Sequence, residues 1–128
     1  MSKFIKLSLI LNIFLFVGCS DNNSIIAIAE TEPVTTSGDA ADDPAIVINY
    51  SNPQQSIILG TDKRAGVYSY DLSGKKISYA ALGEINNIDV RQVDNKIYVA
   101  ASNRTAKSIE FWEFNQQEFF NNLPQSDN

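Results

Sequence analysis

Two cations occupy matching places in this 128-residue chain: Lys63 and Arg104, 41 residues apart, each follow one short β-rich run and precede another. If those runs are copies of one unit, the two positions converge on one rim. There a guanidinium fork and an ammonium point charge suit a phosphate or other polyanion, with Arg64 beside Lys63 assisting. Carboxylates reach the same neighbourhood: Asp42 and Asp43 precede the first strand of the first unit, and Asp89 lies in the first strand of the second. Oxygen donors and cations on one rim make a mixed site for a hard metal ion and an anion together. A plainer reading stands beside this one, because loop charges are commonly solvated and Asp42-Asp43-Pro44 also reads as a turn entry. Asp89 is different, since it interrupts the apolar alternation of Ile85-Asn86-Asn87-Ile88-Asp89-Val90, where a carboxylate is disfavoured and a bound cation accounts for it.

Composition narrows the chemistry. The chain has no His and one Cys, Cys19, which excludes catalysis by imidazole, His-ligated zinc and an internal disulfide. Ten Lys and Arg stand against fifteen Asp and Glu, for a formal charge of −5. Beyond residue 18 the contrast sharpens, with eight bases facing all fifteen acids. So acidic a domain lacks the basic footprint of a nucleic-acid binder and is better suited to hard cations.

The elements that must position these residues are strands. From residue 42 onward the chain shows short β-rich runs at 45–50, 56–60, 66–72, 76–80, 87–93, 96–101 and 108–114, with an eighth at 118–120, and no sustained helical period. Turn formers such as Asn52-Pro53, Ser73-Gly74-Lys75 and Asp94-Asn95 separate them, which predicts an antiparallel meander. The halves repeat. Ile46-Val47-Ile48 matches Ile88-Asp89-Val90, the run from Ile58 to Lys63 matches Val99 to Arg104, and the run from Val67 to Leu72 matches Ile109 to Phe114, at an offset of 41 or 42. A four-strand unit at that spacing is the signature of a β-propeller blade, so the fold class is all-β with about two four-stranded blades. Two blades do not close a ring, and the chain is expected to be one part of a longer propeller.

The front of the chain reads as an export address. Lys3 and Lys6 precede an apolar run of eleven residues, 7–17, too short to span a bilayer as a mature helix. Phe16-Val17-Gly18-Cys19 resembles a bacterial lipobox, in which the Cys is lipidated and becomes the first mature residue. The expected organisation is a signal peptide at 1–18, a lipidated Cys19 with a flexible tether at 19–41, and a partial propeller domain at 42–128. Ser20 after the Cys points to the outer membrane, and membrane attachment through Cys19 explains an unpaired thiol in an exported protein.

Several motifs in order, Asp42-Asp43-Pro44-Ala45-Ile46, the stretch from Gly60 to Val67, the stretch from Tyr70 to Lys75, Asn86-Asn87-Ile88-Asp89-Val90-Arg91 and Ala101-Ser102-Asn103-Arg104, resemble the opening of the β-propeller phytases. That family is a six-bladed, calcium-dependent propeller that removes phosphates from myo-inositol hexakisphosphate. The resemblance implies that Lys63 and Arg104 are the catalytic, phosphate-contacting cations, that Asp43 takes part in binding Ca²⁺, and that Asn87 with Asp89 lines the same site. Asp42 and Arg64 are adjacent candidates for metal and substrate. Val47 stands where the family usually has an aromatic residue, a change of packing. The missing blades imply that this chain alone has little or no activity. Two other readings remain: a lipid-anchored, non-catalytic binding module, and a two-blade unit that completes a ring by self-association.

Overall fold

The computed structural model describes residues 25–123. The expected signal segment and Cys19 lie outside the described residues. Strict two-residue alternation drives the architecture: along β6 (Lys96–Asn103), Ile97, Val99 and Ala101 are buried while Tyr98, Ala100 and Ser102 face the other way. Among the described residues seven strands form two antiparallel sheets. The first contains β1 (Ala41–Val47), β2 (Ile57–Asp62), β3 (Gly66–Tyr70) and β4 (Lys76–Ala81), in that order. The second contains β5 (Ile85–Val93), β6 and β7 (Ser108–Asn115). Each is a simple meander, as expected of propeller blades.

The sheets pack face to face. Val47, Ile57 and Leu59 of the first meet Ile85, Ile88, Ile97, Val99 and Ala101 of the second in one core. Each Val, Leu or Ile among them contributes roughly 1.5–3 kcal/mol relative to exposure, which is what holds two otherwise separate meanders together. Val47, fully buried, fills its place without an aromatic ring. The β3–β4 turn is fixed by Asp71, whose Oδ1 accepts from Ser73 N (2.9 Å), Ser73 Oγ (2.6 Å) and Lys75 N (3.0 Å), with Gly74 supplying the required φ of +87°.

Four expectations are corrected. The eighth run, 118–120, is not a strand but part of helix α1 (Gln116–Asn121), because Asn115 Oδ1 caps it by accepting from Gln117 N and Glu118 N; the second sheet therefore has three strands. The first strand begins at Ala41 and ends at Val47, since Asn49 Oδ1 turns the chain by accepting from Ser51 N and Asn52 N. The repeat offset is not 41 or 42 throughout: Pro44 pairs with Gly60 as Ile88 pairs with Ala101, an offset of 44 in the first strand of each unit. Finally, part of the expected tether lies on the first sheet. Glu32 N donates to Gly74 O (2.8 Å), Lys76 Nζ to Pro33 O (3.2 Å), Thr36 Oγ1 to Asp62 Oδ2 (2.6 Å), and Ala40 is buried.

Candidate functional site

Strands β1 and β5 run side by side in the same direction. Near their starts Asp43 Oδ2 accepts from Ile88 N at 3.0 Å; near their ends the Gln92 carboxamide accepts from Ile48 N at 2.7 Å and donates to Ile48 O at 2.8 Å. The β2–β3 hairpin carrying Lys63 and the β6–β7 hairpin carrying Arg104 therefore sit at the same end of the molecule. Their backbones are tied alike, Lys63 N donating to Ala40 O (2.9 Å) and Arg104 N to Glu84 O (2.8 Å). The expected rim exists.

The side chains do not yet meet on it. Lys63 Nζ lies 3.0 Å from Asp39 Oδ2 and 3.4 Å from Asp42 Oδ1, whereas Arg104 Nε is 3.9 Å from Glu84 Oε2. Among the described residues the two cations share no partner. The hydrogen bond to Asp39, with the attraction of Asp39 and Asp42, holds the Lys63 ammonium above the usual lysine range against its partial desolvation. Lys63 is charged at neutral pH.

Both first strands bulge where the carboxylates and carboxamides sit. The ladder shifts between Ala41 and Pro44 in β1 and between Ile85 and Ile88 in β5, so Asp42-Asp43 and Asn86-Asn87 occupy equivalent bulges. A hydroxyl supports each one: Asp43 N donates to Thr61 Oγ1 at 2.8 Å, and Asn87 N donates to Ser102 Oγ at 3.0 Å. Thr61 Oγ1 in turn donates to Asn86 O at 2.8 Å, linking the two bulges directly. Re-aiming side chains is what a bulge does, and here it turns Asp43 and Asn87 toward one open cleft of about 510 Å³, which Asp89, Ser102 and Ile109 also line.

The remaining candidates divide. Asp42 is turned away from that cleft toward Lys63. Arg64 is exposed; its amide donates to Asp62 Oδ1, and its guanidinium lies near Gly38. Asp89 is tolerated in its strand for a simpler reason than a cation: its side chain is on the solvent face, and Oδ1 pairs with Arg91 Nη1 at 2.7 Å. Among the described residues no three acidic, His or Cys side chains stand close enough to ligate one metal ion. The cleft instead gathers two carboxylates and a carboxamide, oxygen donors of the type Ca²⁺ prefers but fewer than the six to eight it takes.

Several residues that shape the site carry no chemical signature of their own. Asp39, Glu84, Thr61 and Asp62 were not candidates, yet Asp39 holds Lys63 and fully buried Asp62 closes the β2–β3 turn. A signal was present for two of them. Thr61 and Asp62 align with Ser102 and Asn103 in the repeat, and Asn103 Oδ1 serves its own hairpin by accepting from Ala106 N.

Comparison with known proteins adds an independent line. A family model described as Phytase matches residues 8–124. The chain is similar to a protein named 3-phytase from Bacillus subtilis (strain 168), with 42% identity over 67 residues. That match covers 52% of this chain and 18% of the relative.

Proposed function

Because the chain belongs to the phytase family, we propose that it supplies part of a calcium-dependent site for hydrolysis of phosphomonoesters, with phytate or another inositol phosphate as substrate. The observation that carries this reading is the cleft into which equivalent bulges turn Asp43 and Asn87 beside Asp89, at the end of the sheets that bears Lys63 and Arg104.

Asp43 and Asp89, with the Asn87 carboxamide, are the residues that would hold Ca²⁺. When bound, the ion supplies positive charge that offsets the repulsion between an acidic chain and a polyphosphate, and it lowers the pKa of water. Arg104, held only loosely by Glu84, is available to grip phosphate oxygens through its planar fork. Lys63 must exchange Asp39 for a phosphate, and Asp39, largely exposed, is a weak competitor. Both cations favour the charge that accumulates on phosphate oxygens as the ester bond breaks. No protein nucleophile is needed in this reading, because water activated by the ion attacks phosphorus.

The chain alone is proposed to turn over little or no phytate, since loss of one charge-stabilising donor typically costs about 10²–10³ in rate and two sheets supply only part of a donor set. Anchoring at the outer membrane through lipidated Cys19 belongs to the same reading. Calorimetric titration of the chain with Ca²⁺ tests it: binding is expected, and the double variant Asp43→Ala with Asp89→Ala is expected to abolish it. Calcium binding unaffected by that double variant would overturn the assignment.

A further inference from the structure

The end of the sheets opposite Lys63 and Arg104 holds a second cleft. Strands β1 and β5 finish there, so the β1–β2 loop, the β5–β6 turn and α1 surround one space of about 650 Å³. That lies within the roughly 300–1,000 Å³ usual for small-molecule sites. Both sheets contribute to it, and it opens at their end, whereas a further blade of a propeller packs on a face. The chain also leads away from it, since Leu123, just past α1, packs against the core between the sheets.

The walls have one dominant chemistry. Seven of the ten residues lining the cleft carry a carboxamide, and Asp94 is the single charged one. With no cation in its walls the cleft has nothing to grip a phosphate, and one carboxylate is too few for a hard metal ion. Each carboxamide offers two donor hydrogens and an acceptor oxygen, which matches hydroxyl groups, since these donate and accept at once. Phe120 adds a flat apolar surface, braced edge-on by Phe119 with ring centroids 5.3 Å apart.

The frame is fixed by bonds that leave these walls in place. Buried Asn49 holds the loop by accepting from Ser51 N and Asn52 N, and Gln116 N donates to Asn95 O at 2.8 Å, which locks α1 to the β5–β6 turn. One group is left over. Gln116 Oε1 is shut off from solvent and, among the described residues, has no hydrogen-bond partner. A buried acceptor without a donor costs stability, so its presence in the lining of a cleft calls for a reason. The terminal torsion of Gln is broad, and a small turn presents this oxygen to a hydroxyl seated on the cleft floor.

We infer that this cleft binds a neutral, polyhydroxylated ring, a cyclitol or a pyranose sugar, with Gln116 Oε1 accepting from a ligand hydroxyl and Phe120 lying against the ring. The site is separate from the cation rim and does not rest on the function proposed for it.

NMR of the full chain, in a detergent without a sugar headgroup, tests it with myo-inositol and the neutral trisaccharide maltotriose as probes. Amide shifts at residues 49–55, 94–95 and 116–121 are expected with at least one probe; myo-inositol alone marks a cyclitol as the source, and maltotriose alone a glycan. Gln116→Met and Phe120→Ala should each weaken binding about tenfold. Gln116→Met should also leave the thermal midpoint unchanged or raised, because an apolar group of the same shape replaces an unpaired acceptor. The double variant Lys63→Ala with Arg104→Ala should keep the shifts. No shift with either probe up to about 50 mM, shifts lost in the double variant, undiminished binding by both cleft variants, or a lowered midpoint in Gln116→Met each overturns the proposal.

Discussion

The Asp43 carboxylate on β1 accepts a hydrogen bond from the Ile88 amide on β5 at 3.0 Å, so one side chain both joins the two sheets and faces the candidate cleft. Its two duties are separable. Asp43→Ala is expected to lower unfolding stability by about 1–2 kcal/mol, a partly buried charge-assisted bond lost, and Asp43→Asn by less, because the amide oxygen still accepts. Both variants should weaken Ca²⁺ binding. Urea unfolding beside calcium titration checks this, and equal stability loss in the two variants would contradict the hydrogen-bond role.

Thr61 is a second tie between the sheets. Its buried hydroxyl accepts from Asp43 N and donates to Asn86 O, both at 2.8 Å. Thr61→Val keeps the shape but strands both backbone groups, at a cost of about 1–3 kcal/mol, whereas Thr61→Ser keeps the hydroxyl and costs less. The denaturation midpoints of the two variants decide it.

The cations are expected to act on ligand and not on the fold. Lys63→Ala and Arg104→Ala should each weaken calcium-supported phytate binding by about tenfold, or about 1.4 kcal/mol. Asp39→Ala should strengthen it, by freeing the Lys63 ammonium from its 3.0 Å partner. Calorimetric titration at fixed ionic strength reads all three; Asp39→Ala weakening the affinity would show that the ion pair positions Lys63 and does not compete for it.

Acid should loosen the β3–β4 turn. Partial burial works against the Asp71 carboxylate, but hydrogen bonds from Ser73 and Lys75 prevail and hold its pKa below the usual 3.8. A depressed folded-state pKa means that the contribution is fully present well above that value and is lost as pH falls through the folded pKa. Asp71→Asn is therefore expected to flatten the acid limb of the stability profile below about pH 4. Thermal midpoints measured across that range check the slope.

How much of this was legible without coordinates depends on the range of the forces involved. The seven strands from β1 to β7 were visible because two-residue alternation and turn residues such as Ser73-Gly74-Lys75 act locally. Helix α1 was missed because a six-residue segment shows too little period, and its cap, Asn115, looks like any polar residue closing a strand.

The sequence by itself determined that the chain is all-β, that it repeats, and that Lys63 and Arg104 occupy equivalent hairpins, for these follow from residue order and local backbone preference. Tertiary structure alone decided which groups those hairpins meet. The paired bulges exist because hydroxyls of the neighbouring strand, Thr61 and Ser102, capture the extra backbone amides; the offset of 44, which makes Asn87 the counterpart of Asp43, arises because nine residues lie between paired Val47 and Ile57 but six between the equivalent Arg91 and Tyr98. Lys63 turned to Asp39, 24 residues earlier, because the segment that precedes β1 carries that carboxylate onto the rim; electrostatic attraction acts through space and has no signature in the order of residues.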